Sequence, residues 1–306
     1  MLSICIPVYN YEITSLISAL RTQGGKLSIP YELIIVDDGS TEYKEVNEAA
    51  CSDLRYITLE KNIGRAKIRN LFLGYATFPY LLFLDCDSTV ENPDFLANYA
   101  ALLAEKPKVI CGGSIYDYTN PPREQKLRLK NGYYRESQTA AQRKKSPHAS
   151  FLTNNFLIHR DIFSIIRFDE RLTEYGHEDT LFGHALKQHR IEIRHVDNVV
   201  LNGNIDTNAA YLEKTKKSIE NLVHILSYTE HDPVLIANIS LLRVYFKIQK
   251  IENLFYFVFR LTAPIMRYLF LRGIIQLYVF DFYKLGVFIR TKKKLRLKEE
   301  ACKSEI

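Results

Sequence analysis

The sequence predicts an α/β chain: a doubly wound, mostly parallel sheet followed by a C-terminal helical extension. Three observations carry this. Over about the first 110 residues, apolar runs of strand length alternate with segments of helical periodicity, the pattern of βα units laid side by side. The runs 2–8, 31–36 and 80–84 are apolar almost throughout, not at every second position, as strands covered on both faces are. Each run passes straight into polar residues, and strands of one direction bring such residues together at one sheet edge, where open α/β sheets hold their ligands.

In order, 2–8 is a strand stopped by Pro7 and the turn-prone Tyr9-Asn10. Ile13, Leu16, Ile17 and Leu20 recur at helical spacing, and Gly24-Gly25 ends that helix. The second strand, 31–36, runs into Asp37-Asp38-Gly39-Ser40-Thr41. A third, 56–59, leads to Asn62-Ile63-Gly64-Arg65 and a helix to about Ala76 carrying Arg65, Lys67 and Arg69. The fourth, 80–84, opens onto Asp85-Cys86-Asp87-Ser88. Asn92-Pro93 has the composition of a helix start, with Asn as cap and Pro in the first turn. That helix is expected to reach about Glu105, with a short strand at 109–112.

Asp85 and Asp87 repel each other unless a cation lies between or beyond them, and hard oxygen ligands beside a phosphate suit Mg²⁺ or Mn²⁺. An Asp-rich turn capping the next helix is the other reading of the same residues. Cys86 between them reads as a small side chain turned toward the core, since successive residues alternate sides. Asp38, Arg65 and the Asp85/Asp87 pair would serve, in that order, the base or ribose, the phosphates and the metal of a nucleotide. Ordinary loop residues at strand ends are the alternative.

At 306 residues and 47% hydrophobic, the chain is long enough to bury a full core with an appendage. Its five cysteines, at 5, 51, 86, 111 and 302, have no paired spacing, which argues against a zinc site or a disulfide framework and fits a reducing compartment. Met1 leads directly into a strand-like run without a basic segment, apolar core and cleavage site, so no signal peptide is read. Net charge is +6, and the segment 118–148 alone holds eight Lys/Arg against Glu124 and Glu136. That segment reads as a mobile loop able to meet a diphosphate or an anionic acceptor, or else as a solvated charged loop. No fold motif of nucleic-acid binding accompanies it.

Five motifs in sequence order resemble the inverting family 2 glycosyltransferases of GT-A fold: Ser3-Ile-Cys-Ile-Pro-Val-Tyr-Asn10, Leu33-Ile-Ile-Val-Asp-Asp-Gly-Ser-Thr41, Asn62-Ile-Gly-Arg-Ala-Lys-Ile-Arg-Asn70, Leu82-Phe-Leu-Asp-Cys-Asp87 and Tyr175-Gly-His-Glu-Asp-Thr180. They span about two-thirds of the chain. The resemblance implies a catalytic domain over 1–210, with a nucleotide-binding half at 1–112 and an acceptor half at 113–210, before a helical region at 211–306. It implies that Pro7, Val8 and Tyr9 line a nucleotide pocket, with Asn62 nearby. Asp38 would accept from the base, and Arg65 would lie near ribose or phosphate. Asp87 would ligate Mn²⁺ or Mg²⁺, with Asp85 toward the donor and contributing to the metal site. Asp179 would be the base that takes the acceptor's proton, with Glu178 its understudy, although carboxylates in a first helical turn also simply favour the helix dipole. Where related sequences often carry a metal-binding histidine, this chain has Asn202, an oxygen ligand of weaker affinity for Mn²⁺; His195 would substitute only with a shifted register.

Beyond Asn208 the character changes. Residues 211–231 suggest a helix with Lys214, Lys216 and Lys217 outward, and 251–289 is strongly apolar but interrupted by Arg260, Arg267, Arg272, Asp281 and Lys284. No uncharged stretch there reaches the ~18 residues of a spanning helix. With the basic run 291–298, the pattern fits helices lying on an anionic membrane surface through 251–298, against the alternatives of a helical cap or a dimer interface. The functional expectation is a sugar transferase using a UDP-sugar at the inner face of a bacterial membrane, cytoplasmic and peripheral, acting on a glycan or lipid-linked glycan without nucleic acid. A non-catalytic, nucleotide-binding scaffold subunit of the same fold is the second reading.

Overall fold

The computed structural model describes residues 1–172, 175–229 and 232–304, apart from the side chains of 298, 299 and 301–304. The chain forms β1 (Leu2–Val8), α1 (Thr14–Gly24), β2 (Tyr31–Asp37), α2 (Lys44–Ala50), β3 (Arg55–Thr58), α3 (Arg65–Tyr75), β4 (Tyr80–Leu84), β5 (Ser88–Thr89) and α4 (Phe95–Leu102). Next come β6 (Val109–Cys111), β7 (Ser114–Ile115), α5 (Lys126–Asn131), α6 (Ala140–Arg143), β8 (Asn155–His159), α7 (Arg160–Ile165), α8 (Glu178–Gln188), β9 (Ile193–His195) and β10 (Val200–Asn202). Helices α9 (Asn208–Tyr228), α10 (Pro233–Asn238), α11 (Ser240–Ile248), α12 (Glu252–Leu271) and α13 (Leu277–Ser304) follow. The end of the helix expected at 211–231 falls at 230–231, outside the described residues.

The described chain separates into two compact units: Met1–Asp117, 135–172 and Glu178–Asn204 form the first; Tyr118–Tyr134, 175–177 and 205–304 form the second. In the first, the described residues build a seven-stranded sheet in the order β3-β2-β1-β4-β8-β6-β9. β8 runs antiparallel to β4 and β6, and the other pairings are parallel. β4 and β6 therefore point the same way. The C-terminal ends of β1, β2, β3, β4 and β6 open at one edge, together with the start of β8.

The uninterrupted apolar runs are explained by burial on both faces. Ile4, Ile6, Leu82 and Leu84 pack with α1 and α4 on one side. Cys5, Ile34, Val36, Leu81 and Phe83 face α3, α7 and α8 on the other, where Phe83 stacks on Phe156 at 4.8 Å between ring centroids. The helix expected from Asn92 begins later, at Phe95. Asn92 Oδ1 instead accepts from the Asp94 amide, making a turn. The cap comes from α1: Gln23 Nε2 donates to the Asn92 carbonyl at 2.9 Å, and its Oε1 accepts from the Leu96 amide at 3.0 Å.

The basic segment expected as a mobile loop is folded and divided between the units. Its first part forms α5 in the second unit, with Leu127 and Leu129 buried. Its second part forms α6 in the first, where the Thr139 hydroxyl and the Gln142 side chain make a capping box. Arg143, 1% exposed, donates to the carbonyls of Gln138, Gly112 and Val196. That cation is used inside the protein.

In the second unit α5 is anchored on the start of α9: Asn208 Oδ1 accepts from the Leu127 amide at 2.8 Å and its Nδ2 donates to the Arg123 carbonyl at 2.9 Å. The core joins Leu212, Leu222 and Leu226 of α9 to Phe259, Met266 and Phe270 of α12 and Phe280 and Phe288 of α13. Three cations of the C-terminal basic run, which belongs to α13, are engaged within their own unit. Lys292 lies 4.5 Å from the Tyr245 ring, Lys293 donates to Asn253 at 2.6 Å, and Arg296 pairs with Glu252 at 3.2 Å. Cys5, Cys51, Cys86 and Cys111 are free thiols; the side chain of Cys302 lies outside the described set.

Candidate active site

The two carboxylates after β2 divide their tasks. Asp37 is fully buried and builds the turn, with Oδ1 accepting from the Ser40 amide at 2.6 Å and Oδ2 from the Tyr56 hydroxyl at 2.7 Å. Asp38 reaches across to the loop before α3, accepting from the amides of Ile63 at 2.7 Å and Gly64 at 3.1 Å. Burial pushes the Asp38 carboxyl above its ordinary pKa, and those two amide bonds act in the opposite direction. Gly39 makes the close approach possible: its φ is +72°, and a Cβ there would sit 2.7–2.9 Å from the Lys61–Asn62 backbone. Gly39→Ala is therefore expected to lower stability by about 1–3 kcal/mol, read as a fall in the thermal midpoint.

Of the residues expected in a nucleotide pocket, Tyr9 is about half exposed (49%) and Pro7 is half-buried, but the Val8 side chain lies in the core. What Val8 offers the edge is its carbonyl, which accepts from the Asp38 amide at 2.8 Å. Asn62 and Arg65 are exposed beside and at the start of α3. One turn further along α3, Arg69 is 3% exposed and donates to Asp85 Oδ1 at 2.6 Å, with its guanidinium 5.5 Å from the Phe168 ring. The sequence reading placed Arg69 on this helix without assigning it to the site. Its spacing of four residues from Arg65, which brings both to one face, was the available signal.

Past Asp85, the chain turns through Cys86, whose thiol is pushed up to about 12 by burial first and then by Asp87 and Asp85. Asp87 is held against β10: its carbonyl accepts from the Gly203 amide at 2.8 Å, and Asn202 pairs in register with Ser88. Asn202 Nδ2 donates to the Ile115 carbonyl at 3.0 Å, fixing its Oδ1 as the acceptor turned to Asn154 Nδ2 at 3.4 Å. Asn154 in turn accepts from the Asp85 amide through its carbonyl, while its buried Oδ1 has no hydrogen-bond partner. Among the described residues no three His, Cys, Asp or Glu side chains gather to enclose a cation. The oxygen groups of this neighbourhood are two carboxylates, the Asn202 amide oxygen and the orphaned Asn154 Oδ1, beside a Cys86 thiol that burial keeps protonated. That set fits Mg²⁺ or Mn²⁺. Alongside lies a cleft of about 650 Å³ lined by Asn10, Tyr11, Tyr43, Cys86, Ser88 and Gly203. The Tyr11 phenol is raised by burial and then by the charge of Asp87.

His195 is excluded as a metal ligand. It is 1% exposed, its Nδ1 accepts from Arg143 Nε at 3.1 Å, and its Nε2 is 2.9 Å from the Pro147 carbonyl. Burial lowers its pKa. Glu178 and Asp179 open α8, with Glu178 buried and Asp179 half-buried. The Asp179 carboxyl is raised to about 6, by burial first and then by Glu178, despite donation from the Thr180 amide at 2.7 Å. The charge of Asp179 also contributes, last among several causes, to the raised pKa of the Cys111 thiol at the end of β6.

The mostly parallel seven-stranded sheet, with β8 running antiparallel and helices on both faces, is the arrangement of the GT-A fold. A mannosyltransferase from Pyrobaculum calidifontis, in complex with GDP-Man and Mn²⁺, superposes with a TM-score of 0.59 at 14% identity, over 97% of this chain and 86% of its own. Glucosyl-3-phosphoglycerate synthase from Mycobacterium tuberculosis, in complex with Mn²⁺, UDP and glucosyl-3-phosphoglycerate, gives 0.52 at 19% identity, over 74% of this chain and 79% of its own. Residues 3–167, more than half of the chain, match the model of glycosyl transferase family 2, and the chain belongs to that family. Among sequence relatives, teichoic acid poly(glycerol phosphate) polymerase of Staphylococcus epidermidis is 37% identical over 106 residues, 32% of this chain and 14% of its own length. Chondroitin synthase of Escherichia coli is 36% identical over 108 residues, 34% and 16% respectively. The chain thus spans a minor part of the length of these relatives.

Proposed function

We propose that this chain transfers a hexosyl or N-acetylhexosaminyl group from a nucleotide-diphosphate donor, preferably a UDP-sugar, to a hydroxyl of a glycan or lipid-linked glycan, in one inverting displacement. What supports this reading is that Asp38 and the Asp85/Asp87 pair follow strands β2 and β4 at one edge of the sheet, with Arg65 opening α3 after β3, together with a raised pKa at Asp179. Asp179, ionised at neutral pH yet more basic than an ordinary carboxylate, takes the acceptor's O–H proton. The acceptor oxygen then bonds to the anomeric carbon as the bond to the diphosphate breaks on the opposite face, and the nucleotide diphosphate leaves with the electron pair. Asp38 and the Tyr9 region hold the base, and Arg65 faces the phosphates. Asp87, Asp85 and the Asn202 amide oxygen would hold a divalent cation, which when bound supplies positive charge against the leaving diphosphate. Because the family match ends at residue 167, the role of Asp179 rests on its own chemistry and position.

The names of the relatives, a teichoic acid polymerase and a chondroitin synthase, support a place in surface-polysaccharide assembly, and the inner face of a bacterial membrane is the location proposed with it. A non-catalytic nucleotide-binding scaffold is the second reading, favoured by the engagement of Asp85 with Arg69, which neutralises one of the two carboxylates. The two are separated by incubating the full chain with UDP- and GDP-sugars and Mn²⁺, then measuring nucleotide binding and release. The transferase reading expects cation-dependent binding that Asp87→Ala removes, and release that Asp179→Asn abolishes. Binding of a nucleotide with no release under any acceptor would instead support the scaffold.

A further inference from the structure

Helix α12 is apolar on two opposite sides. Phe259, Met266 and Phe270 are buried in the core of the second unit. At 100° per residue, Leu254, Phe257, Leu261, Ile265 and Tyr268 fall about half a turn away, and each is 57–63% exposed. A contiguous exposed stripe of this kind on one helix marks an interaction surface. The charge around it is mainly basic: residues 240–280 contain Arg243, Lys247, Lys250, Arg260, Arg267 and Arg272 but only one acid, Glu252, although Glu213 of α9 pairs with Arg267 at 3.0 Å. Glu252 is held by the Tyr245 hydroxyl at 2.9 Å and Arg296 at 3.2 Å.

We propose that this outer face of α12 docks on an anionic lipid bilayer, with the helix lying in the plane of the membrane. The cationic frame matches anionic headgroups, whereas a second copy would set one positive rim against another. The helical run Ser240–Leu271 is long and apolar enough to cross a membrane by length and composition. Crossing would, however, pull Phe259, Met266 and Phe270 out of their core, so the packing favours the in-plane arrangement. This deepens the membrane part of the function proposed above. It uses no residue of the candidate active site, so the two readings fail separately.

The sequence contains no tryptophan, so Leu261→Trp in the full chain provides a single apolar reporter on the stripe. Titration with phosphatidylcholine vesicles containing phosphatidylglycerol is expected to shift its emission to the blue, and phosphatidylcholine alone to give binding about tenfold weaker or less. Leu261→Glu combined with Ile265→Glu should reduce vesicle co-sedimentation by about tenfold or more, with nucleotide binding retained. An unshifted reporter would overturn the proposal. So would a lipid-free dimer, seen by light scattering, that the double variant dissociates, because the stripe would then be a self-interface.

Discussion

Asp179→Asn is expected to lower turnover by about 10²–10⁴-fold while leaving nucleotide affinity near that of the parent, and at the same time to make the protein more stable. Both effects arise from one environment. The folded protein raises the Asp179 carboxyl to about 6, chiefly by burial, so the ionised form that a base requires is less favourable in the fold than in the unfolded chain. The sign follows from linkage: between the ordinary carboxylate pKa of about 4 and the folded value near 6, the native state binds more protons than the unfolded one, so this group's contribution to stability falls as pH rises. Above pH 6 the full cost is present, and the neutral amide removes about 1–3 kcal/mol of it. Denaturant unfolding at neutral pH should show the gain, and the gain should vanish near pH 4. The kcat/KM of the parent should fall on the acid side of about pH 6. A variant that turned over normally would move the base to another residue, and Glu178→Gln would be the next substitution to measure.

Arg69→Leu is expected to cost about 2–4 kcal/mol, because it leaves the Asp85 carboxylate without its counter-charge in a poorly solvated place. Arg69 is 3% and Asp85 22% exposed, with 2.6 Å between them. The leucine also loses the contact of the guanidinium with Phe168. Replacing Arg69 by lysine keeps the charge but not the planar fork, and should recover part of the loss. Urea unfolding measures both. If Arg69→Leu proved as stable as the parent, Asp85 would have to be neutralised by another group. If the variant folded, its nucleotide affinity should also change, because the carboxylate freed from Arg69 stands beside Asp87.

The gathering of chemistry at one sheet edge was legible in the sequence, because β1, β2 and β4 are buried on both faces and each passes from an apolar run directly into polar residues. A strand covered by helices on both sides needs no alternation, and its exit point is therefore marked sharply. The helix starting at Arg65 was readable for a related reason, since Ala66, Ile68 and Phe72 fall on its buried side. Its second arginine, Arg69, was placed on the helix without a role. Burial of Arg69 depends on Asp85, sixteen residues away, and on the Phe168 ring, which no local pattern connects to it.

Other differences share this cause. The Asn92-Pro93 start yielded to a cap supplied by Gln23, and the charge-rich segment 118–148 was divided between two units because Leu127, Leu129 and Arg143 each found buried partners. His195 was occupied by Arg143 and Pro147 from elsewhere in the chain. By itself the sequence determined the α/β class and strands β1 to β4 and β6, since these depend on local burial patterns, and marked Asp38 and Asp85/Asp87 as candidates at strand ends; Asp179 was marked by the family resemblance. Only the tertiary structure decided which charges are spent inside the protein and which face outward, because a charge is neutralised by whatever the fold brings within a few ångströms. Thus Lys292 and Lys293 of α13 turned to their own unit, and the apolar outer face of α12 remained exposed.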